Sequence, residues 1–335
     1  MGTRDGASRR LLSRLTVAVL VDKEVVMPGS ARFRKGVGDS SVVNTLRGLV
    51  EKTAIAPYTN AAALFKWVTE LKPDVVFNLT EHVDGDRRKD SHICSMLELL
   101  KLPYTGTGPR AMTLCRDKAV SKLIAAQAGF KTPQFFVLDA AAPSLPSRLT
   151  FPLVVKPRFD DASVGISQAS LVRTKKALLE RIAFLEESET REIICEEYIA
   201  GREMMVGVIK EQVMPAREFI IGRKEQRTPR LVTYRLKHDK AYKRRWRVRT
   251  GFARLTPEQE RRVRQLTLKT CEALELKDYC RLDLKLTPAG EWVFLEANPN
   301  PGLYPFKRSR YGIWSAIDFE KLITQIVLRA LQRED

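Results

Sequence analysis

The residues best equipped for chemistry sit in two alternating segments joined by a short turn: CRLDLKL (280–286), TPAG (287–290) and VFLEANPNPG (293–302). Along an extended strand every second side chain faces the same way, so Glu296 and Asn298 share a face. Pairing across the turn can bring Asp283 beside Glu296. Two carboxylates and an amide oxygen are hard donors suited to Mg2+, with phosphate oxygens completing the octahedra. The expectation is two such ions, with Mn2+ able to substitute. A hairpin edge carrying solvated acids is the plain alternative. Phe294 and Leu295 beside Glu296, and the stiff NPNPG run that follows, argue against it.

Lys156 ends the apolar run FPLVVKP and precedes the turn DDASVG (160–165), which holds Ser163 and Gly165. Such a turn can offer backbone N–H groups to phosphate while Lys156 adds a point charge. GxxxxGK[ST] is absent, so this is not a P-loop. A lysine closing a core strand can equally reach out to water. Lys118, in RDKAVSK, would pass alone as surface charge. In CEEYIAGRE, Glu196, Glu197 and Ile199 form an extended stretch able to present backbone hydrogen bonds to a purine, and Glu203 could accept from ribose hydroxyls. Cys195 is rejected as a nucleophile, because Glu196 and Glu197 beside it would raise its pKa. His82 beside Glu81 is either a base with its partner or part of a surface loop.

Charge is uneven along the chain. Lys and Arg number 58 against 40 Asp and Glu, a net +18, and residues 221–250 hold twelve of the bases with two acids. Three readings stay open for this stretch: a solvated basic loop, a nucleic-acid patch in which Tyr234, Tyr242 and Trp246 stack on bases, or a loop closing over phosphates. The five cysteines are scattered without CxxC spacing, which excludes a disulfide scaffold, and three histidines exclude a histidine-rich metal centre. No apolar run approaches the roughly 18–20 residues needed to span a bilayer. The opening MGTRDGASRRLLSRLTVAVLV reads as a flexible basic leader (1–14) running into a core strand, which places the protein in the cytoplasm.

The elements that must position these groups follow from periodicity. Apolar runs at 15–21 and 75–79 predict buried parallel strands, with helices over 41–52, 61–71 and 92–100 and a short strand-like LPYTG. One helix is expected over 111–128, stopped by Gly129. Strand, glycine loop and strand follow from 152, then a helix over 175–184 and strands over 192–198 and 204–209. A long helix over 256–274, the hairpin 279–296 and a helix over 318–331 complete the plan. Its fold class is α/β and α+β: an N-terminal parallel α/β domain (15–110), a central lobe (111–200) and a C-terminal lobe (201–335) carrying the basic loop 221–250.

Taken in order, LPYTGTGPRAMTLCRDKAVSKLIAAQAGFKTP, FPLVVKPRFDDASVGIS, EEYIAGREMMVGV, YRLKH, CRLDLKL and FLEANPNPG resemble the ATP-grasp superfamily, and within it the D-alanine–D-alanine ligase family. The match runs from about residue 74 onward. The resemblance implies an ATP-grasp fold whose two later lobes clamp ATP, and a carboxylate–amine ligase working through an acyl phosphate. It implies that Lys118 and Lys156 contact the phosphates beneath the 160–165 loop. It further implies that Glu196, Glu197 and Ile199 line the adenine, that Glu203 binds ribose, and that Lys237 reaches in from a lid. Arg281 would face the acyl phosphate, and Asp283, Glu296 and Asn298 would hold magnesium. On this reading the basic segment is the lid. The expected partners are a small carboxylate and a small amine, with a homodimer allowed, no membrane, and nucleic acid disfavoured.

Departures cluster on the amino-acid side. The family's glycine-rich first turn, with its serine and its amine-binding glutamate, is LVDKEVVMPGS here, and its His-Gly pair is Glu81-His82. EGSSVG becomes DDASVG, so Ala162 replaces a serine next to Ser163. His238, a candidate catalytic group that titrates near neutral pH, stands where a tyrosine is usual, and Asn300 separates NP from PG. These changes predict a substrate other than D-alanine, one carrying extra negative charge to match the basic lid. D-alanine–D-alanine ligation itself, and nucleic-acid binding on a relic fold, are the alternatives.

Overall fold

A computed structural model describes residues 2–26, 39–159, 165–188, 190–222, 231–305 and 312–333. The first unit contains α1 (Gly2–Leu12), β1 (Thr16–Asp22), α2 (Asp39–Arg47), β2 (Lys52–Tyr58), α3 (Ala61–Leu71), β3 (Val75–Asn78) and α4 (Asp90–Leu99). The three strands are parallel in the order β2-β1-β3, and Tyr104 of LPYTG adds one parallel bridge to Val76. β1 is buried from Val17 onward, as a strand covered on both faces must be. Strand β2 follows directly on the helix expected over 41–52, in a stretch where no element was expected. It is a half-buried edge strand containing Pro57 and two alanines, a composition with little strand signal.

The chain then forms α5 (Pro109–Arg116) and α6 (Lys118–Gln127), where a single helix was expected. Asp117 breaks it. Its backbone is extended (φ −83, ψ 103), and its carboxylate caps α6 by accepting from Ala119 N at 2.9 Å and Val120 N at 3.3 Å. Arg158 donates to both oxygens of the same carboxylate, at 2.9 and 2.5 Å. Lys118 is thereby fixed as the first residue of α6.

The second sheet is antiparallel, in the order β4-β7-β5-β6, with strands β4 (Phe135–Asp139), β5 (Leu153–Pro157), β6 (Leu171–Val172) and β7 (Glu192–Glu197), and α7 (Lys175–Glu187) against it. The third holds β8 (Arg202–Ile209), β9 (Gln212–Val213), β10 (Arg217–Ile221), β11 (Val248–Phe252), β12 (Tyr279–Leu286) and β13 (Trp292–Pro299), ordered β11-β10-β8-β12-β13 with β9 on β8. Within the basic segment, α8 (Tyr234–His238) and α9 (Lys240–Arg245) are capped by Thr233 and Asp239, and Trp246 is buried beneath them. From residue 231 onward this stretch is therefore built structure rather than an open loop. Helix α10 (Pro257–Ala273) covers the sheet, capped reciprocally by Thr256 and Gln259.

Two expectations about domain limits fail. Residues 1–14 are not a flexible leader, since Leu12 is fully buried and Arg9 pairs with Glu320 at 2.7 Å. Nor does the chain after 201 stay in one lobe. Helix α11 (Phe319–Leu331) returns to the first unit, where Ile323, Ile326 and Val327 share a core with Leu12, Val17, Val19 and Phe77. An amphipathic helix announces an apolar face but not which sheet will cover it. Among the described residues no helix is long and apolar enough to cross a membrane.

Candidate active site

Register decides the metal end of the site. β12 and β13 pair so that Asp283 lies opposite Glu296 and Arg281 opposite Asn298. Between Asp283 and Leu284 the register shifts, leaving Leu295 as an extra residue on β13. Such a bulge re-aims the neighbouring side chains. It also turns the Leu295 carbonyl toward Lys122, whose Nζ donates to it at 2.6 Å.

The carboxylates are electrostatically unlike. Burial would raise Glu296, but the charges of Lys118, Lys156, Lys237 and Arg281 overcome it and hold the group at about 2. Asp283 sits above its ordinary range because of burial, which Arg281 opposes and the Glu296 charge reinforces. Arg281 donates to both Asp283 oxygens, Nε at 2.5 Å and Nη2 at 2.9 Å. Asn298 is buried, and its Nδ2 has no hydrogen-bond acceptor among the described residues, so the amide is not fixed through that atom. The donor set fits a hard divalent cation: two carboxylates that repel one another and a buried amide whose Nδ2 is without an acceptor among the described residues.

Lysines converge from the other side. Lys156, at the end of β5, pairs with Glu196 Oε2 at 2.9 Å, and Lys122 of α6 pairs with Glu196 Oε1 at 2.7 Å. Burial alone would depress Lys156, yet Glu196 and Glu296 more than offset it and the group is raised. Lys118 and Lys122 are both lowered to about 8, burial being the main cause, partly opposed by Glu296 for the first and Glu196 for the second. Lys118 Nζ also donates to the Arg158 carbonyl at 3.4 Å.

One cleft between the two antiparallel sheets gathers most of the predicted residues. Lys156, Glu196, Glu197 and Ile199 line it from the second sheet, Glu203, Asp283 and Glu296 from the third, and Lys237 from α8. Glu203 is paired across the strands with Lys285 at 3.1 Å. The Glu197 N–H already donates to Gln134 O, and that of Tyr198 to Pro152 O. The Glu196 side chain turns to the lysines, with Lys122 on one oxygen and Lys156 on the other, and its backbone belongs to the 196–199 stretch. Ser163, with Ala162 and the rest of 160–164, lies outside the described residues, as does the side chain of His238.

Two groups of residues escaped the sequence reading in whole or in part, only Glu81 and His82 among them having been weighed. Lys122 is one, and its signal was the four-residue spacing from Lys118 on one helix face. The other stands at the C-terminal ends of β1 and β3, where ligands bind in open parallel sheets. Both oxygens of Asp22 accept from Glu81 N, at 3.2 and 3.0 Å, and His82 Nε2 lies 3.6 Å from Asp22 and 3.7 Å from Glu24. Burial, partly opposed by His82, raises Asp22 to about 6. Burial together with Glu81 and Asp22 raises Asp39 to about 7.

Comparison with known proteins agrees with this geometry. Residues 125–328 match the family model described as the D-ala D-ala ligase C-terminus. A D-alanine–D-alanine ligase from Aquifex aeolicus is 31% identical over 266 residues, covering 77% of this chain and 83% of that protein. An uncharacterized protein, y4sG, from Sinorhizobium fredii is 34% identical over 232 residues, 68% of this chain and 66% of its own length. The fold is shared with the crystal structure of a D-alanine–D-alanine ligase from Bacillus anthracis complexed with ATP, at TM-score 0.70 and 20% identity, covering 95% of this chain and 98% of that one. It is shared also with a D-Ala:D-Ser ligase from Enterococcus faecalis, at TM-score 0.66 and 20% identity over 95% and 100% of the two chains. With the sheets, the cleft and these matches in agreement, the chain belongs to the D-alanine–D-alanine ligase family of the ATP-grasp superfamily and is an ATP-dependent ligase that forms carbon–nitrogen bonds.

Proposed function

We propose that the chain joins two small amino acids, D-alanine to D-alanine in the first place, through an acyl phosphate. The observation that carries this reading is the facing of Asp283 and Glu296 across β12 and β13, within the field of Lys118, Lys156, Lys237 and Arg281. The first substrate's carboxylate attacks the γ-phosphorus of ATP, releasing ADP. The second substrate's amine then attacks the acyl carbon and phosphate leaves. Lys118, Lys156 and Lys237 balance the phosphate charge, Glu203 accepts from ribose, and the 197–199 stretch borders the purine. Asp283, Glu296 and Asn298 would hold Mg2+, which when bound neutralises phosphate charge that otherwise repels the incoming carboxylate. Arg281, which donates to both Asp283 oxygens in the free protein, would face the acyl phosphate. Ser163 would act beside the phosphates and His238 beside the amino acids.

The earlier preference for a substrate with extra negative charge gives way here. Of the basic segment's described residues, Leu231, Val232 and Lys237 line the cleft, and Lys237 is the sole cation. The strand ends of the first unit instead carry Asp22, Glu24 and Glu81, with His82 beside the first two and Arg87 2.7 Å from the third, an acidic cluster that suits an ammonium group. Phosphate release measured over pairs of amino acids, with mass detection of products, tests the reading. D-alanyl-D-alanine is the expected product; amide formation with other pairs only, and none with D-alanine, would overturn it.

Proton linkage supplies a second expected result. Lys118 and Lys122 are charged below about pH 8 in the free protein and lose that charge above it. A phosphate contact needs the charged form, so kcat/KM for ATP should fall as pH rises past about 8. A profile flat to pH 10 would remove Lys118 from the phosphate site.

A further inference from the structure

We propose that Lys122 is a positioning residue, holding the two walls of the nucleotide cleft in register through Glu196 on one side and the bulge carbonyl of Leu295 on the other. The inference rests on the ATP site proposed above. Lys122 is fully buried on α6, a place that an apolar side chain of similar length would fill without desolvating an ammonium. Its Nζ is 2.7 Å from Glu196 Oε1 on β7 and 2.6 Å from Leu295 O on β13. Glu196 Oε2 holds Lys156 of β5 at 2.9 Å, and Leu295 immediately precedes Glu296. One ammonium therefore ties the phosphate-side lysine to the metal-side carboxylate, although it does not itself line the cleft.

The consequences of losing it follow from charge balance. Glu196 is held below the ordinary carboxylate range because Lys122 first, and Lys156 next, outweigh its burial. Without Lys122 the Glu196 carboxylate keeps one cation, draws Lys156 more tightly to itself, and takes up a proton at higher pH. The bulge carbonyl loses its donor as well, loosening the aim of Glu296.

Equilibrium ATP binding and steady-state ADP release, each across pH, test this in the wild type, Lys122→Gln, Glu196→Gln and the double variant. Lys122→Gln should raise the Kd and KM for ATP by about 10–100-fold, the range seen when a group that orients a ligand is removed. Its kcat should fall less, and the acid limb of its pH profile should move upward. In the double variant the excess carboxylate charge is gone, so ATP affinity should recover toward that of Glu196→Gln alone. Wild-type affinity and pH profile in Lys122→Gln would overturn the proposal, as would losses that simply multiply in the double variant. If Lys122→Gln does not fold, Glu196→Gln decides: it must weaken ATP binding, and unchanged affinity overturns the proposal. Failure of the wild type to bind ATP would instead sink the underlying site assignment, a separate and visible outcome.

Discussion

Glu296→Gln should lower ADP formation by at least about 10²–10³-fold, the cost of removing one preorganised electrostatic group from a reacting phosphoryl or acyl centre. Glutamine keeps the shape and removes the charge, so the loss reports electrostatics rather than packing. The effect should be large because Glu296 is the anion that four cations share, which is why it stays ionised at about 2 although half-buried. A coupled ADP assay run against magnesium concentration checks it: turnover should stay low even at high magnesium. The change also has a signature in the lysines. The Glu296 charge is the first influence raising Lys118 against its burial, so the fall of kcat/KM at alkaline pH should begin at lower pH in the variant. Turnover near that of the wild type would contradict the roles assigned to the β12–β13 hairpin.

Asp90→Ala should destabilise the protein by about 3–5 kcal/mol, the usual cost of breaking a buried ion pair by removing one partner. Asp90 of α4 and Arg116 at the end of α5 are both buried, with Arg116 Nε at 3.1 Å from Asp90 Oδ2 and Nη2 bonded to the same oxygen. The pair joins the first unit to the residue preceding Asp117, so it anchors the break from which Lys118 projects. Chemical denaturation followed by hydrogen exchange in α4 and α5 measures the loss locally, which suits a chain of several units better than a single melting temperature. Replacing both partners, as in Asp90→Leu with Arg116→Met, should recover most of the stability while loosening Lys118. A single variant as stable as the wild type would show that the guanidinium finds other partners.

What was legible in the sequence, and what was not, divides along physical lines. Asp283, Glu296 and Asn298 were legible because strand alternation and a short turn determine which side chains share a face. Lys156 was legible because it closes an apolar run. Lys122 was not, since a lysine on an amphipathic helix ordinarily marks the solvent side, and only the tertiary position of Glu196 makes it internal. Strands β4 and β10 left little pattern: β4 is half-exposed along most of its length, and β10 alternates poorly. The α5–α6 break was hidden because Asp117 is tolerated within a helix and declares itself as a cap only once Arg158 arrives from β5. The carboxylates of the first unit were read one at a time, and parallel pairing of β1 with β3 is what sets Asp22 beside Glu81.

The return of α11 to the first unit bears on how the chain comes off the ribosome. β1 and β3 are complete by residue 78, yet part of their apolar cover arrives with Ile323, Ile326 and Val327, roughly 240 residues later. At about 5–20 residues per second, translation leaves that surface waiting for on the order of ten to fifty seconds. During this interval Val17, Val19 and Phe77 form a sticky face on the first-emerged part of the polypeptide, within three short parallel strands. A chain cut short before Phe319 would leave that face of the first unit without α11.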